Sequence, residues 1–157
     1  MKITVVFPVK NQTAKLLANI EKMALPYYDS LKNITYEFLI CSDGSDEPNQ
    51  KAMEEAAKKF PLQIKLLSYE NHKGKGHNVQ RGLLEASGDY VMFMDADFAT
   101  DLHALDKILP IINTADGFIG TRHGKGGVIV TKQSASRRFI SFCSRKIIAH
   151  KFHFHDI

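Results

Sequence analysis

Short apolar runs alternate with segments of helical periodicity along most of this 157-residue chain. The runs predict strands at residues 3–7, 36–41, 62–67 and 90–94, and a fifth short strand that ends at residues 117–120. The periodic segments predict helices at 13–25, 50–60, 76–87, 101–112 and 134–149. Strands that alternate with helices in this way form βαβ units. We therefore predict an α/β fold with a mostly parallel sheet and helices on both faces.

Composition excludes several classes of protein. Hydrophobic residues make up 44% of the chain and charged residues 24%, so a disordered chain, a collagen and a disulfide scaffold are excluded. No apolar run approaches the roughly 20 residues of a membrane span, and because strand-like sequence starts at Lys2 we expect no signal peptide. Cys41 and Cys143 lie far apart, which favours a reduced cytosolic protein.

Charge is unevenly distributed along the chain. Residues 1–120 contain 13 Lys and Arg and 16 Asp and Glu, whereas residues 121–157 contain 8 Lys and Arg and one acid. This asymmetry favours a negatively charged partner for the last third, such as a phosphate or an anionic lipid. The basic third has no aromatics interleaved on a sheet face and no recognisable nucleic-acid module, so we expect no nucleic-acid partner.

Candidate binding residues follow the strands, because ligands of open α/β sheets lie beyond the carboxyl ends of the strands. We expect these residues to converge on one edge of the sheet. They are Pro8, Lys10, Asn11 and Gln12 after the first strand, residues 42–46 after the second, Asp95, Ala96 and Asp97 after the fourth, and Thr121 and Arg122 after the fifth.

Asp95 and Asp97 come directly after an apolar strand. Two carboxylates are hard oxygen ligands, which suit Mg²⁺ or Mn²⁺ bound together with substrate phosphates. The alternative is a cap for the helix predicted near Asp101. A cap needs one acid near its helix and does not require a pair at a strand end, so the metal site is the preferred interpretation.

Two further segments carry weaker signals. Asp43, in Ser42-Asp43-Gly44-Ser45, could accept hydrogen bonds from a nucleobase or a ribose, but the same residues are good turn formers. Gly74-Lys75-Gly76 precedes a helix, where backbone N–H groups favour a phosphate, but it also suits a simple turn. It is neither a Walker A loop nor a dinucleotide fingerprint.

Taken in order, these segments resemble glycosyltransferase family 2, of the GT-A fold. Within that family the chain is similar to the dolichyl- and polyprenyl-phosphate sugar transferases. The matching segments are residues 7–12, 41–45, 74–82, 88–97 and 120–122, then Arg137 with Ser141, and finally Asp156-Ile157. The resemblance covers residues 2–157 and implies one GT-A catalytic domain over 1–157, incomplete at its C-terminus.

The resemblance also implies roles for individual residues. Asp95 and Asp97 would hold the metal, and with Arg122 they would be the catalytic residues. Arg122, Arg137 and Ser141 would meet the acceptor phosphate. The nucleotide-sugar donor would lie against Pro8, Lys10, Gln12, Asp43, Gly44, Lys75, Asp95, Ala96 and Asp97. Gln12 and Ser42 depart from the family, which has acidic residues at both positions.

The function implied is the metal-dependent, inverting transfer of a sugar from a nucleotide-diphosphate sugar to a polyprenyl or dolichyl phosphate. Ala99-Thr100 resembles the glucosyltransferases, which favours UDP-glucose over GDP-mannose. The basic amphipathic helix predicted at 134–149 suits an anionic membrane surface, so we expect a cytoplasmic protein peripheral to the inner face of the membrane. The alternatives are a family 2 transferase with a saccharide acceptor and a non-catalytic nucleotide-sugar-binding domain.

Overall fold

The computed structural model describes residues 1–120 and 134–152, which belong to two units, Met1–His103 and Ala104–Ile157. The first unit contains, in chain order, β1 (Lys2–Val9), α1 (Thr13–Asn19), a π-helical segment (Ile20–Ala24), α2 (Leu25–Ser30), β2 (Thr35–Asp43), α3 (Glu47–Lys59), β3 (Ile64–Tyr69), α4 (Lys75–Glu85) and β4 (Tyr90–Phe93). The second contains α5 (Ala104–Ile108), a 3₁₀ helix (Leu109–Thr114) and α6 (Ala135–Phe152).

The four strands form one parallel sheet in the order β3-β2-β1-β4. β1 lies between β2 and β4. It pairs with β2 from Lys2↔Thr35 onward and with β4 from Ile3↔Tyr90 onward. Because every strand runs in the same direction, all four carboxyl ends lie along one edge. This confirms the predicted α/β architecture.

Helices cover both faces of the sheet. On one face α4 packs over β1 and β2, where a Cβ on Gly82 would lie 2.3 Å from Val6 Cγ1 and 2.8 Å from Cys41 Sγ. On the other face the ring of Tyr28, from α2, lies 5.3 Å from the ring of Phe38. Neighbouring residues of a strand point to opposite faces, so the alternating apolar residues of β2 supply both cores.

The first helical region differs from the predicted helix at 13–25. It continues to Ser30 and contains the π-helical segment Ile20–Ala24. Pro26 does not end it, because Pro26 lies in the first turn of α2, directly after the π-helical segment.

The predicted fifth strand is wrong. Residues 117–120 form no strand, and no strand among the described residues pairs with them. Only Phe118 and Ile119 are apolar there, and each is flanked by a glycine, which disfavours a strand. The predicted helix at 101–112 is also shorter, since α5 begins at Ala104 and gives way to a 3₁₀ helix.

A buried carboxylate lies near the amino ends of the strands. Glu37, 2% exposed, accepts hydrogen bonds from Lys2 Nζ (2.8 Å), Thr4 Oγ1 (2.7 Å) and Ser87 Oγ (2.7 Å), and pairs with Lys65 Nζ (2.9 Å). Burial raises the pKa of the Glu37 carboxyl, but these hydrogen bonds outweigh burial and hold that pKa well below its ordinary range.

β4 is an edge strand of the sheet that the described residues form. It is only four residues long, and Val91 and Phe93 are exposed on the face that also carries α4. Among residues 1–120 and 134–152, no helix combines the length and the apolar composition needed to cross a bilayer.

Candidate functional site

The residues that follow β1, β2 and β4 meet at the carboxyl edge of the sheet, around a cavity of about 270 Å³. This is the location that parallel topology favours for a ligand. The cavity is lined by Pro8, Val9, Lys10, Gln12, Asp43, His72, Lys75, Asn78, Asp95, Ala96 and Asp97. Of the predicted donor-binding residues in the described structure, only Gly44 does not line the cavity.

Asp95 and Asp97 lie in a tight turn just after β4. Phe98 N–H donates to the Asp95 carbonyl (3.1 Å), and Ala99 N–H donates to Asp97 Oδ1 (3.0 Å). Phe98 has a φ of +54°, a left-handed conformation that is unusual for an aromatic residue. Its ring stacks on Phe7 with centroids 5.4 Å apart, and this contact ties the turn to the core.

The donor set at this turn fits a divalent ion. Asp95 and Asp97 offer carboxylate oxygens, which are the ligands that Mg²⁺ and Mn²⁺ prefer. Asp95 Oδ1 forms an ion pair with the Lys75 ammonium group, whose Nζ lies 2.5 Å from it. Within the described residues, no group of three or more His, Cys, Asp or Glu side chains gathers. An ion here would take its remaining ligands from water or a bound phosphate, which is how Mg²⁺ usually binds.

Asp43, the last residue of β2, holds the loop between β3 and α4. Its Oδ1 accepts from Lys73 N–H (2.9 Å), and its Oδ2 accepts from Gly74 N–H (2.9 Å) and from His72 Nδ1 (2.7 Å). Burial raises the pKa of this carboxyl, but the hydrogen bonds outweigh burial, so the pKa lies below its ordinary value. Asp43 therefore lines the cavity with both oxygens already engaged.

Gly44 shapes the same loop without lining the cavity. Its φ is +66°, and a Cβ there would lie 2.9 Å from His72 N. A side chain at this position would be strained and would push away the loop that Asp43 holds.

The first turn of α4 faces the cavity. Gly74 is its N-cap, with a φ of +94°, and Lys75 is its first residue. Asn78, 1% exposed, donates from Nδ2 to the Cys41 carbonyl (2.6 Å), and its Oδ1 has no hydrogen-bond partner among the described residues. The N-terminal N–H groups of such a helix favour an anion.

The loop after β1 is fixed to the loop after β2. Asn11 has a φ of +51°, its Oδ1 accepts from Asp46 N–H (2.9 Å), and its N–H donates to Ser45 Oγ (3.3 Å). These contacts set the positions of Lys10 and Gln12 at the rim of the cavity.

The predicted acceptor residues belong to the part of the chain after the first unit. Arg122 lies outside the described residues, and so does the side chain of Arg137, although its backbone is part of α6. Ser141 is half-buried in α6, in the second unit. Their predicted roles therefore stay predictions.

Sequence reasoning missed Val9, His72 and Asn78 of the cavity lining, and Phe98 of the turn after β4. His72 contacts Asp43 across 29 positions of sequence, which no local pattern indicates. Phe98 adopts a left-handed backbone conformation that an aromatic residue disfavours, so its position in the turn could not be predicted. Asn78 gave a usable signal, because a buried polar residue in the first turn of a helix beside a strand end requires a partner.

A model described as "Glycosyl transferase family 2" matches residues 4–156. The chain belongs to glycosyl transferase family 2. The prediction from the ordered segments is thereby confirmed.

Named relatives within the family include lipid-phosphate sugar transferases. The chain is 31% identical over 130 residues to a dolichol-phosphate mannosyltransferase of Pyrococcus furiosus, covering 82% of this chain and 35% of that protein. It is 28% identical over 157 residues to a dolichyl-phosphate beta-glucosyltransferase of Dictyostelium discoideum, covering 96% of this chain and 47% of that protein. The chain thus spans less than half the length of either relative.

A solved structure confirms the GT-A fold. Glucosyl-3-phosphoglycerate synthase from Mycobacterium tuberculosis, solved with Mn²⁺, uridine diphosphate and glucosyl-3-phosphoglycerate, matches with a TM-score of 0.54 and 22% identity. The match covers 95% of this chain and 50% of that one.

Proposed function

We propose that residues 1–157 belong to the catalytic domain of a metal-dependent, inverting glycosyltransferase. It would move a sugar from a nucleotide-diphosphate sugar to a polyprenyl or dolichyl phosphate. The cavity at the carboxyl edge of the sheet carries this proposal, because paired carboxylates lie there beside a helix N-terminus. Carboxylates suit a divalent ion and helix N–H groups suit phosphates, and a nucleotide-diphosphate sugar brings both together.

The donor's phosphates would be held from two sides. Asp95 and Asp97 would hold Mg²⁺ or Mn²⁺, which supplies Lewis-acid stabilisation of the leaving diphosphate when bound. Lys10 and Lys75 line the same cavity and add positive charge, while Pro8, Gln12 and Asp43 complete the nucleotide side. The Mn²⁺ and uridine diphosphate in the solved fold relative support this class of ligands.

The acceptor would attack through a phosphate oxygen. A bond forms between that oxygen and the anomeric carbon of the sugar, the bond from that carbon to the β-phosphate oxygen breaks, and a nucleoside diphosphate leaves. A phosphate monoester has a second pKa near 6, so the acceptor is already an anion at pH 7 and no protein general base is required. Arg122, Arg137 and Ser141 are proposed to hold the acceptor phosphate, and Arg suits it by its planar fork.

Glucose is the favoured sugar and UDP-glucose the favoured donor, with GDP-mannose second. Ala99-Thr100 after the metal turn supports glucose by its resemblance to the glucosyltransferases. The relatives above include a beta-glucosyltransferase and a mannosyltransferase, so both donors belong in any test.

We place the protein at the inner face of a membrane, through α6. Phe139, Ile140, Phe142 and Ile147 are exposed, and their spacing places them on one side of the helix. Arg138, Arg145 and Lys146 add positive charge on the same helix. Exposed apolar side chains together with cations on one helix suit the surface of an anionic bilayer, where the acceptor lipid resides.

A thermal-shift panel tests the donor site. UDP, UDP-glucose, GDP and GDP-mannose are each added with Mn²⁺ or with a chelator. A ligand at 100 times its dissociation constant stabilises the chain by about 2.7 kcal/mol. We expect stabilisation by one nucleotide class with Mn²⁺, and none with the chelator.

Asp97→Ala should abolish that stabilisation. Asp101→Asn is the matched control, because Asp101 is exposed, lies four residues further along and does not line the cavity. No shift with any nucleotide would overturn the donor site, and an equal loss in both variants would remove Asp97 from it.

A non-catalytic nucleotide-sugar-binding domain is the second candidate. The presence of Gln12 and Ser42, where the family has acidic residues, favours it. Release of nucleoside diphosphate from UDP-glucose or GDP-mannose in the presence of a polyprenyl phosphate distinguishes the two, since a binding domain gives nucleotide binding without turnover.

A further inference from the structure

The ion pair between Lys75 and Asp95 joins the two halves of the cavity. Lys75 Nζ lies 2.5 Å from Asp95 Oδ1, and both residues line the cavity. Lys75 begins α4, whereas Asp95 follows β4 on the other side of β1. The pair therefore connects the helix N-terminus to the proposed metal turn.

The backbone on the Lys75 side is held firmly. Asp43 accepts hydrogen bonds from the N–H groups of Lys73 and Gly74, directly before Lys75. The side chain itself is more than half exposed and flexible. The backbone of Lys75 is thus held in place, while its ammonium group can change its partner.

The charges in the cavity indicate when the partner changes. Asp95 and Asp97 both line the cavity with carboxylates, and Lys75 pairs with one of them. A divalent ion at these carboxylates would compete with the ammonium group for Asp95 Oδ1. Once displaced, the ammonium group remains in a cavity that would hold the donor's diphosphate.

We propose that Lys75 is an exchangeable counter-ion: it pairs with Asp95 while the donor site is empty, and pairs with the donor's diphosphate when a divalent ion takes Asp95. This inference rests on the proposed function and adds a residue-specific exchange to it. It predicts that removing the Lys75 charge strengthens metal binding to the free chain and weakens nucleotide binding to the metal-loaded chain.

Lys75→Met tests both parts, with Lys73→Met as the matched control. Lys73 lies in the same loop but lines a separate cavity, and no carboxylate in the described part of the chain pairs with its side chain. Mn²⁺ affinity is measured by titration without nucleotide. UDP and GDP affinities are then measured at saturating Mn²⁺. Circular dichroism checks that each variant is folded.

For Lys75→Met we expect the Mn²⁺ dissociation constant to fall about fivefold, the equivalent of about 1 kcal/mol for an exposed pair. We expect the dissociation constant of the bound nucleotide to rise about tenfold or more. Lys73→Met should change either constant by less than about twofold, and Lys75→Arg, which keeps the positive charge, should bring both constants back toward wild type.

Two results would overturn the exchange. Unchanged or weaker Mn²⁺ binding by Lys75→Met shows that the ammonium group does not compete at Asp95. Unchanged nucleotide affinity shows that it does not reach the diphosphate. If wild type binds Mn²⁺ but neither nucleotide, the proposed function fails while the competition arm still stands. If wild type binds no Mn²⁺, both fail.

Discussion

Asp43 shows how one side chain can set the shape of a binding cavity. Both of its oxygens accept hydrogen bonds from the loop between β3 and α4, and the residue is buried. Hydrogen bonds to a charged acceptor each contribute roughly 1.5–3 kcal/mol. The position of Lys75, which lines the cavity with positive charge, therefore depends on a carboxylate at the end of β2.

Asp43→Asn should loosen this loop. An amide offers only one acceptor atom, so Lys73 N–H and Gly74 N–H cannot both keep their bonds. We expect hydrogen exchange at these two amides to speed up about tenfold, the equivalent of about 1.4 kcal/mol. Asp46→Asn is the control, because Asn caps α3 as well as Asp does. Unchanged exchange in Asp43→Asn would contradict the role of the carboxylate.

At the residue scale, the sequence reveals a site residue when it stands at a strand end. Asp95, Asp97 and Asp43 were predicted because each follows or ends an apolar run. His72 lies in a loop without a pattern, and its contact with Asp43 exists only once β2 and β3 pair. The sequence predicted that Asp43 could contact a nucleobase. It could not show that N–H groups of the loop before α4 already donate to both carboxylate oxygens.

Among the elements, α4 lies unusually close to the sheet. Gly82 permits this approach, because its missing side chain leaves room for Val6 and Cys41. The Cys41 thiol is buried there, and burial raises its pKa to about 12, so it remains protonated at neutral pH. The first turn of α4 reaches the cavity because the helix rests directly on β1 and β2.

Gly82→Ala should destabilise the fold. The new Cβ would lie 2.3 Å from Val6 Cγ1, and a β-branched side chain in a packed core moves little. We expect a loss of about 1–3 kcal/mol in the free energy of unfolding, measured with urea.

Gly76→Ala is the matched control on the same helix. A Cβ at Gly76 meets nothing within 4 Å, and alanine favours a helix over glycine by up to about 1 kcal/mol. The two substitutions should therefore have opposite signs. Equal effects would show that helix propensity, and not the close packing, controls stability at Gly82.

The exposed side of α6 supplies the membrane prediction. Phe139→Ser combined with Ile147→Ser should reduce binding to vesicles of anionic and zwitterionic lipid at least tenfold, because each apolar side chain contributes about 1.5–3 kcal/mol when buried. Leu84→Ser, on the 78% exposed Leu84 of α4, is the control and should bind as wild type does. Co-sedimentation provides the measurement, and equal binding by all three chains would contradict the proposal.

The sequence predicted a strand or helix correctly where the spacing of its apolar residues and the length of the segment indicated the same element. All four strands of the sheet were predicted to within about two residues, because their apolar runs have the length and composition of strands. The predicted fifth strand rested on two apolar residues, too few to require a partner. The helix that continues past Pro26 could not be predicted by periodicity, because a proline is equally compatible with a helix end and with the first turn of the next helix.

In the first unit, the candidate site and the buried Glu37 lie at opposite edges of the sheet. The carboxyl edge carries the cavity, whereas Glu37 ties β1, β2, β3 and the segment before β4 together near the amino edge. A carboxylate with a lowered folded-state pKa stabilises the fold above its unfolded pKa, and this stabilisation is lost as the pH falls toward the folded value.

We therefore expect acid sensitivity below about pH 4.3, the ordinary pKa of Glu. Glu37→Gln should cost roughly 1.5–3 kcal/mol at pH 7 and flatten the decline in stability between about pH 4.3 and pH 2. Glu55→Gln, at an exposed position of α3, should leave both unchanged. Thermal unfolding across this pH range measures it, and an equally steep decline in Glu37→Gln would assign the acid sensitivity to other carboxylates.

The short edge strand β4 also affects how the chain behaves in solution. Its outer backbone groups have no strand partner among the described residues, and half of Phe93 is accessible to solvent. Such an edge is a template on which another polypeptide can add a strand. Self-association at high protein concentration would therefore begin beside the turn that carries Asp95 and Asp97, and a loss of ligand binding in concentrated samples would report aggregation at this edge before any unfolding.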